Sequence, residues 1–415
     1  MGKDNSNFFA KKSQWAIIKD RLLGAYLTVY FQKLLKSNRP ICYFDCFAGK
    51  GKFEDGSDGS PLVALKTRDE RLLKTTAGNS LIKSFFLDYE YSDELRENVK
   101  FFNRYHADVQ VDKGKFEEKV YPFLQTLPQN INVFLYIDPY GIKALKSNLL
   151  DSFSDLNFAS FEMLINFNSF GLFRNACKVK NVSYAGDEAL AETDDIAEYE
   201  PTEFTADFKS EKLLNDISGG NYWKQIVDAY RKKEINGYQA ERQLALGYKK
   251  RLREKYEFVL DMPIRLRPGL LPKYRMIHVT NHKDGCYTMA ENMMNRSDEL
   301  YMDTAIETCV HKQLSLFDLN HDVENELVDP ETVKEKVISC LRNQNDFIGC
   351  VHLIAIFYTE YGIICKIGVI KKILKELEEK RMIIVRRKHS ITDKGQLSRS
   401  FTEGPRQKVE IKLGI

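Results

Sequence analysis

Apolar and polar positions fall along the chain in two rhythms. Residues 13–36 place Ile17, Leu22, Tyr26, Tyr30 and Leu34 at helical spacing, which predicts a leading amphipathic helix. A continuous apolar run over 41–46 then reads as a buried strand leading into the glycine-bearing loop Phe47-Ala48-Gly49-Lys50-Gly51. The turn cluster Gly56-Ser57-Asp58-Gly59-Ser60-Pro61 offers Ser60 as the cap of a helix with Pro61 in its first turn. Further strands are predicted at 84–88, 109–111, 132–138 and 161–167, with helices after Ser92 and near 116–126. Strand and helix alternating at this spacing predict an α/β fold, a doubly wound parallel sheet with helices on both faces.

Between 171 and 236 the alternation stops. Residues 187–211 hold ten acids against one lysine and few aliphatics, and read as an exposed acidic insertion, either a solvated loop or a lid. A basic helix follows near 239–254, then strands near 256–260 and 274–280, close enough to form a terminal antiparallel pair. Residues 1–315 are therefore expected to form one Rossmann-like domain and 316–330 a linker ending in the helix start Asp329-Pro330. Residues 331–415 form a second domain of three helices, near 331–342, 350–359 and 366–380, a strand at 382–387 and a turn at 391–395. That order resembles a winged helix-turn-helix. Its net charge is +7, with Lys371, Lys372, Lys375, Lys380, Arg386, Arg387 and Lys388 on the third helix and wing. Such a face suits nucleic-acid phosphates, although winged helices also dock proteins.

Composition narrows the class. The 415 residues are 43% hydrophobic with a net charge of +3, enough apolar content for a large core and too little charge to name a partner. Eight cysteines are scattered without a C-x-x-C pair, as reduced thiols would be. No apolar signal core opens the sequence and no run is long enough to span a bilayer, so a soluble cytoplasmic protein is expected.

The first, second and fourth strands each end in an acid: Asp45, Asp88 and Asp138. Ligands of doubly wound sheets bind at that edge. Asp45, Phe47, Gly49 and Gly51 match the loop with which amino-group methyltransferases hold the methionine end of S-adenosylmethionine. Asp88 stands where a carboxylate accepts from ribose hydroxyls, with Glu90 a nearby substitute. Its distance from Gly51 exceeds the roughly 20 residues usual in dinucleotide sites, because the turn cluster lengthens the connection. Phe116 is placed to pack on adenine, or to serve as a helix-core aromatic. Asp138-Pro139-Tyr140-Gly141 matches, with one proline instead of two, the loop that aligns an exocyclic amine for methylation beside a stacking aromatic. It also reads as a plain strand-ending turn. The three acids could instead bind Mg²⁺ in a nuclease, but no further acid or histidine accompanies them. His278, His282 and Cys286 recur every four residues yet run from a strand end into a turn, so no metal is expected there. Neither a phosphate-binding G-x-x-x-x-G-K-[ST] loop nor a G-x-S-x-G elbow is present.

Over residues 13–295 the chain resembles the three-Cys-motif partner (TcmP) family of bacteria and archaea. The matching residues are Lys19, Tyr43 through Gly51, Asp55-Gly56 through Gly59-Ser60-Pro61-Leu62, and Ile137 through Gly141. Leu164 through Phe167 with Arg174, Gly220 through Trp223, and Tyr274 through His282 with Gly285 and Met289 continue the match. Cys46 departs from the Pro or Gly frequent at its position. The resemblance implies a class I methyltransferase fold that binds S-adenosylmethionine, and a three-cysteine, radical-SAM-like protein as partner. The expected function is methylation of a nucleic acid, with Asp138, Pro139 and Tyr140 at the acceptor. The alternatives are a non-catalytic methyltransferase-fold binding protein and a metal-dependent nuclease.

Overall fold

The computed structural model describes residues 12–74, 81–102, 108–184, 204–265, 270–312, 328–388, 398–404 and 407–414. Its centre is a seven-stranded sheet of β1 (Ile41–Asp45), β2 (Ile82–Asp88), β3 (Val109–Lys113), β4 (Asn132–Ile137), β5 (Ser160–Phe167), β6 (Phe258–Ile264) and β7 (Tyr274–Thr280). The order is β3-β2-β1-β4-β5-β7-β6. The first five strands are parallel, and β7 runs antiparallel to both β5 and β6.

Side chains alternate across this sheet and feed two separate cores. Ile41, Tyr43, Phe134, Tyr136 and Leu164 face one core, while Cys42, Phe44, Val133, Leu135 and Ile165 face the other. On the first face lie α1 (Gln14–Leu35), α2 (Ser60–Leu73) and α3 (Ser92–Val99). The second is covered by α4 (Phe116–Gln125), α5 (Ser147–Ser152) and α6 (Ser169–Val179), then by α7 (Phe208–Ser218), α8 (Tyr222–Arg231) and α9 (Gly237–Leu252). Burial on both sides is why β1 and β4 are apolar almost throughout, while the equally buried β7 carries Arg275, His278 and Thr280.

Three local expectations change. Gly59, not Ser60, precedes α2 as its N-cap; the Ser60 hydroxyl instead donates to Asp45 Oδ2 at 2.6 Å. Of the acidic stretch 187–211, residues 187–203 lie outside the described residues; of the rest, 205–209 are exposed as expected, but from Phe208 the chain is the helix α7, not a loop. Phe204 is buried, and Asp207 caps α7 by accepting from the Ser210 N–H at 2.7 Å. The third difference is α10 (Lys283–Lys312), a 30-residue helix that begins where a turn was expected after β7. Its buried residues Cys286, Met289, Ala290 and Met293 belong to the core shared with α1 and the C-terminal helices. They recur at i, i+3, i+4 and i+7, one face of the helix, but are built of cysteine, alanine and methionine, not of large aliphatics.

The remaining elements are α11 (Pro330–Arg342), β8 (Ile348–Gly349), α12 (Cys350–Tyr361), α13 (Ile367–Glu379), β9 (Ile383–Arg387) and β10 (Val409–Leu413). The strands form an antiparallel sheet in the order β8-β10-β9. Asp329 caps α11 by accepting from the Glu331 and Thr332 N–H groups. The turn expected at 391–395 and linker residues 316–327 lie outside the described residues. No helix among those described is long and apolar enough to cross a membrane.

α1 is tied to the sheet by a buried polar knot. The Tyr26 hydroxyl donates to Glu162 Oε2 on β5, and His278 Nε2 on β7 lies 2.9 Å from the same oxygen. Gly285 of α10 closes against this carboxylate, since a Cβ there would stand 2.6 Å from Glu162 Oε1. Removing the carboxylate strands two buried polar groups. Glu162→Ala is expected to lower the unfolding free energy by about 3 kcal/mol, read as an earlier urea transition.

Candidate functional site

Because β1, β2 and β4 run parallel, Asp45, Asp88 and Asp138 emerge at one edge of the sheet. Asp88 clasps the glycine loop. Its Oδ2 accepts from the Gly49 N–H at 2.8 Å, and its Oδ1 accepts from the Glu90 and Tyr91 N–H groups at 2.9 and 2.7 Å. Glu90 thus contributes a backbone N–H here, and its exposed side chain is not needed for the clasp. Gly49 and Gly51 adopt positive φ values of 58° and 76°, and a Cβ on Gly51 would meet Leu95 Cδ1 at 2.8 Å. Glycine at 51 is therefore demanded by the packing of α3.

Asp138 is surrounded by donors. Lys19 Nζ donates to both oxygens at 2.9 and 2.7 Å, Asn166 Nδ2 to Oδ1 at 2.6 Å, and the Tyr136 hydroxyl to Oδ2 at 3.2 Å. With about four acceptor positions on a carboxylate, no place remains for a substrate amine while Lys19 is seated. The acceptor role expected for Asp138 is not open in this arrangement. Pro139 is buried beside it, and Tyr140 is 47% exposed at the rim. The sequence placed Tyr136 on a strand, and Asn166 on a strand and within the family match, with a site role for neither. Lys19 had a signal: it shares the buried stripe of α1 with Leu22, Leu23 and Tyr26. A lysine there needs a counter-ion.

Asp45 lies above β1 with no exposure, accepting from Ser60 Oγ at 2.6 Å and from the Phe47 N–H at 3.3 Å. Burial pushes its carboxyl up to about 8, against the pull of those two donors, with nearby Asp138 and Asp20 adding to the rise. Asp20, which sequence reading passed over, is raised to about 6 by burial despite its ion pair with Lys12. Lys12 also straps the loop, its Nζ donating to the Asp58 carbonyl at 2.6 Å and its N–H to Asp55 Oδ2 at 3.1 Å. Two buried polar atoms face this cluster with no hydrogen-bond partner among the described residues, Tyr43 Oη and Asn166 Oδ1.

Phe116 is 1% exposed, with its ring centroid 5.3 Å from Phe47 and 6.3 Å from Phe153. It belongs to the core and offers no face to adenine; Phe47 is only half-buried. Cys46 is buried, and burial holds its thiol far above the usual range, so it is no nucleophile. His278 is bound to Glu162, the His282 side chain is exposed and Cys286 donates to the Ala355 carbonyl, so these three do not converge. A cavity of about 940 Å³ lies elsewhere, between α9, β6 and α10, and none of the cluster residues lines it.

On the C-terminal elements Lys372, Lys375, Lys380, Arg386 and Lys388 are exposed. Arg387 instead forms a two-pronged pair with Glu378 at 2.6 and 2.7 Å, and Lys371 donates to Thr402. Both are committed within the protein.

No family model matches the chain, and no curated protein matches it in sequence. Among solved structures it is similar to a putative methyltransferase, yhhF, from Escherichia coli (15% identity, 33% of this chain, 64% of that one, TM-score 0.22). It is also similar to the plantazolicin methyltransferase BamL, solved with a desmethylPZN analogue and SAH (11% identity, 65% and 87%, TM-score 0.28). A third is the mitomycin 7-O-methyltransferase MmcR (11% identity, 62% and 53%, TM-score 0.25). The chain thus spans less than two thirds of the length of the first and third of these structures.

Proposed function

We propose that this chain is an S-adenosylmethionine-dependent methyltransferase acting on nucleic acid, of the kind implied by the three-Cys-motif partner resemblance. The observation that carries the reading is the clasp between Asp88 and the Gly49–Gly51 loop, at the same sheet edge as the Asp45 cluster. Three backbone donors leave one acceptor position on Asp88 Oδ2, enough for a ribose hydroxyl. At the other end of the site Tyr43 Oη and Asn166 Oδ1 supply the polar atoms that a methionine moiety would satisfy. The residues present therefore fit the cofactor, which supplies an electrophilic methyl on a sulfonium when bound.

The acceptor is read from two surfaces. Tyr140 offers an exposed ring at the rim against which a base can stack. The helix–strand–helix–helix–hairpin order from Pro330 onward reads as a winged helix, with Lys372, Lys375, Lys380, Arg386 and Lys388 against phosphates. Asp138 can align an amine only after Lys19 leaves it. That occupancy favours a second reading, a methyltransferase fold kept as a binding protein. A three-cysteine, radical-SAM-like partner belongs to either reading through the family resemblance.

Calorimetry with S-adenosylhomocysteine and transfer of labelled methyl to DNA and RNA separate the possibilities. Binding with transfer is the expected result; binding without transfer selects the second reading, and no binding defeats the catalytic reading. Asp88→Ala is expected to weaken cofactor binding by about tenfold or more, the worth of a hydrogen bond to a charged group. The double change Lys372→Glu and Lys375→Glu is expected to weaken polynucleotide binding across sequences. It should also flatten the dependence of log affinity on log salt by about two, measured by fluorescence anisotropy.

A further inference from the structure

Five ionisable side chains crowd the carboxyl edge of β1 and β4: Lys12, Lys19, Asp20, Asp45 and Asp138. Three carboxylates share two ammonium groups. Lys12 pairs with Asp20 and Lys19 with Asp138, so Asp45 is the one left over. It is fully buried, and its two hydrogen-bond donors, the Ser60 hydroxyl and the Phe47 N–H, are neutral.

Apart from the two lysines, which are paired with Asp20 and Asp138, the groups named around Asp45 are neutral or repel an anion. Asp138 and Asp20 repel it; Tyr43, Tyr136 and Cys46 are buried and keep their protons. A buried carboxyl so placed remains neutral at pH 7, in keeping with its raised pKa of about 8. An acidic cluster alone does not make a ligand site. Here Tyr43 Oη and Asn166 Oδ1 add two buried atoms without partners among the described residues. The Asn166 side chain belongs to the cluster, since its Nδ2 holds Asp138 at 2.6 Å and its Oδ1 is part of the same amide group.

We infer that Asp45 is a reserved counter-ion that ionises when a cationic ligand enters, so that the site distinguishes S-adenosylmethionine from S-adenosylhomocysteine by charge. The inference rests on the cofactor reading above. The two nucleosides share the methionine ammonium and carboxylate, but only the first has the sulfonium. Its positive charge repays the cost of an Asp45 anion; the thioether of the product offers nothing for it. In the step only the Asp45 O–H bond breaks, the proton passes to solvent and no electrons move between partners. Once the methyl has left, the site holds an anion without its cation, regains a proton and releases the product.

The test is calorimetry of each nucleoside in two buffers of different ionisation enthalpy at pH 7, with the native protein and Asp45→Asn. Native protein is expected to release about one proton more than the variant on binding S-adenosylmethionine, and no more than the variant on binding S-adenosylhomocysteine. Relative to the variant, native affinity for S-adenosylmethionine should rise by about tenfold per pH unit from 6 toward 8 and level off above, since the proton is then already gone. The ligand's own amino group titrates identically in both proteins and cancels in that comparison. Equal proton release by the two proteins, with S-adenosylmethionine bound, overturns the inference and leaves the cofactor reading standing. No binding of either nucleoside overturns both. Should Asp45→Asn fail to fold, infrared difference spectra of the native protein decide. Loss of a protonated-carboxyl band with S-adenosylmethionine and not with S-adenosylhomocysteine supports the inference; the same spectrum with both defeats it.

Discussion

Helix α1 is fixed to the sheet at two polar points, and the site exists because of them. Lys19 reaches Asp138 at the carboxyl edge, and Tyr26, two turns further on, reaches Glu162 in the interior. Between them the helix lays Leu22 and Leu23 into the core that also takes Tyr43, Phe134 and Tyr136. One helix thereby roofs β1, β4 and β5 and sets how deeply the edge carboxylates are buried. Without that roof Asp138 would be an ordinary strand-ending turn residue and Asp45 an ordinary solvated acid.

The depth of burial then decides the chemistry of each acid, although the three side chains are identical. Asp88 lies at the tip of β2 under three backbone N–H groups and works as a clasp for the loop. Asp138 is neutralised by a lysine and shared with an amide and a phenol. Asp45 has neutral donors only and keeps its proton. These differences arise from partners contributed by α1, α2 and β5, which lie 15 to 119 residues away in sequence.

That is also why the fold was more legible than the site. The apolar runs ending at Asp45, Asp88 and Asp138 read as buried parallel strands, and parallel strands of such a sheet end at one edge, so the three acids could be placed by pattern alone. What each carboxylate binds depends on long-range partners that no local spacing encodes. Phe116 shows the same limit: an aromatic after β3 suits adenine or the core equally until Phe47 and Phe153 are seen closing over it. Ser60 looked like a cap because a serine before Pro61 usually is one, yet tertiary contact with Asp45 claimed its hydroxyl. Helix α10 escaped notice because its buried stripe is made of Cys286, Met289, Ala290 and Met293 instead of strongly apolar aliphatics.

α10 has a mechanical consequence. One of its sides packs on α1 and another on α12, with Asn292 bonded to the Leu22 carbonyl and Cys286 to that of Ala355. The exposed lysines of α13 are therefore joined to the roof of the Asp45 edge through a continuous solid, not through a tether. On the proposed nucleic-acid reading, a polymer gripped at Lys372 and Lys375 would meet that edge across one fixed span. The protein would then choose its position along the polymer as a ruler does, by length as well as by the identity of what lies there.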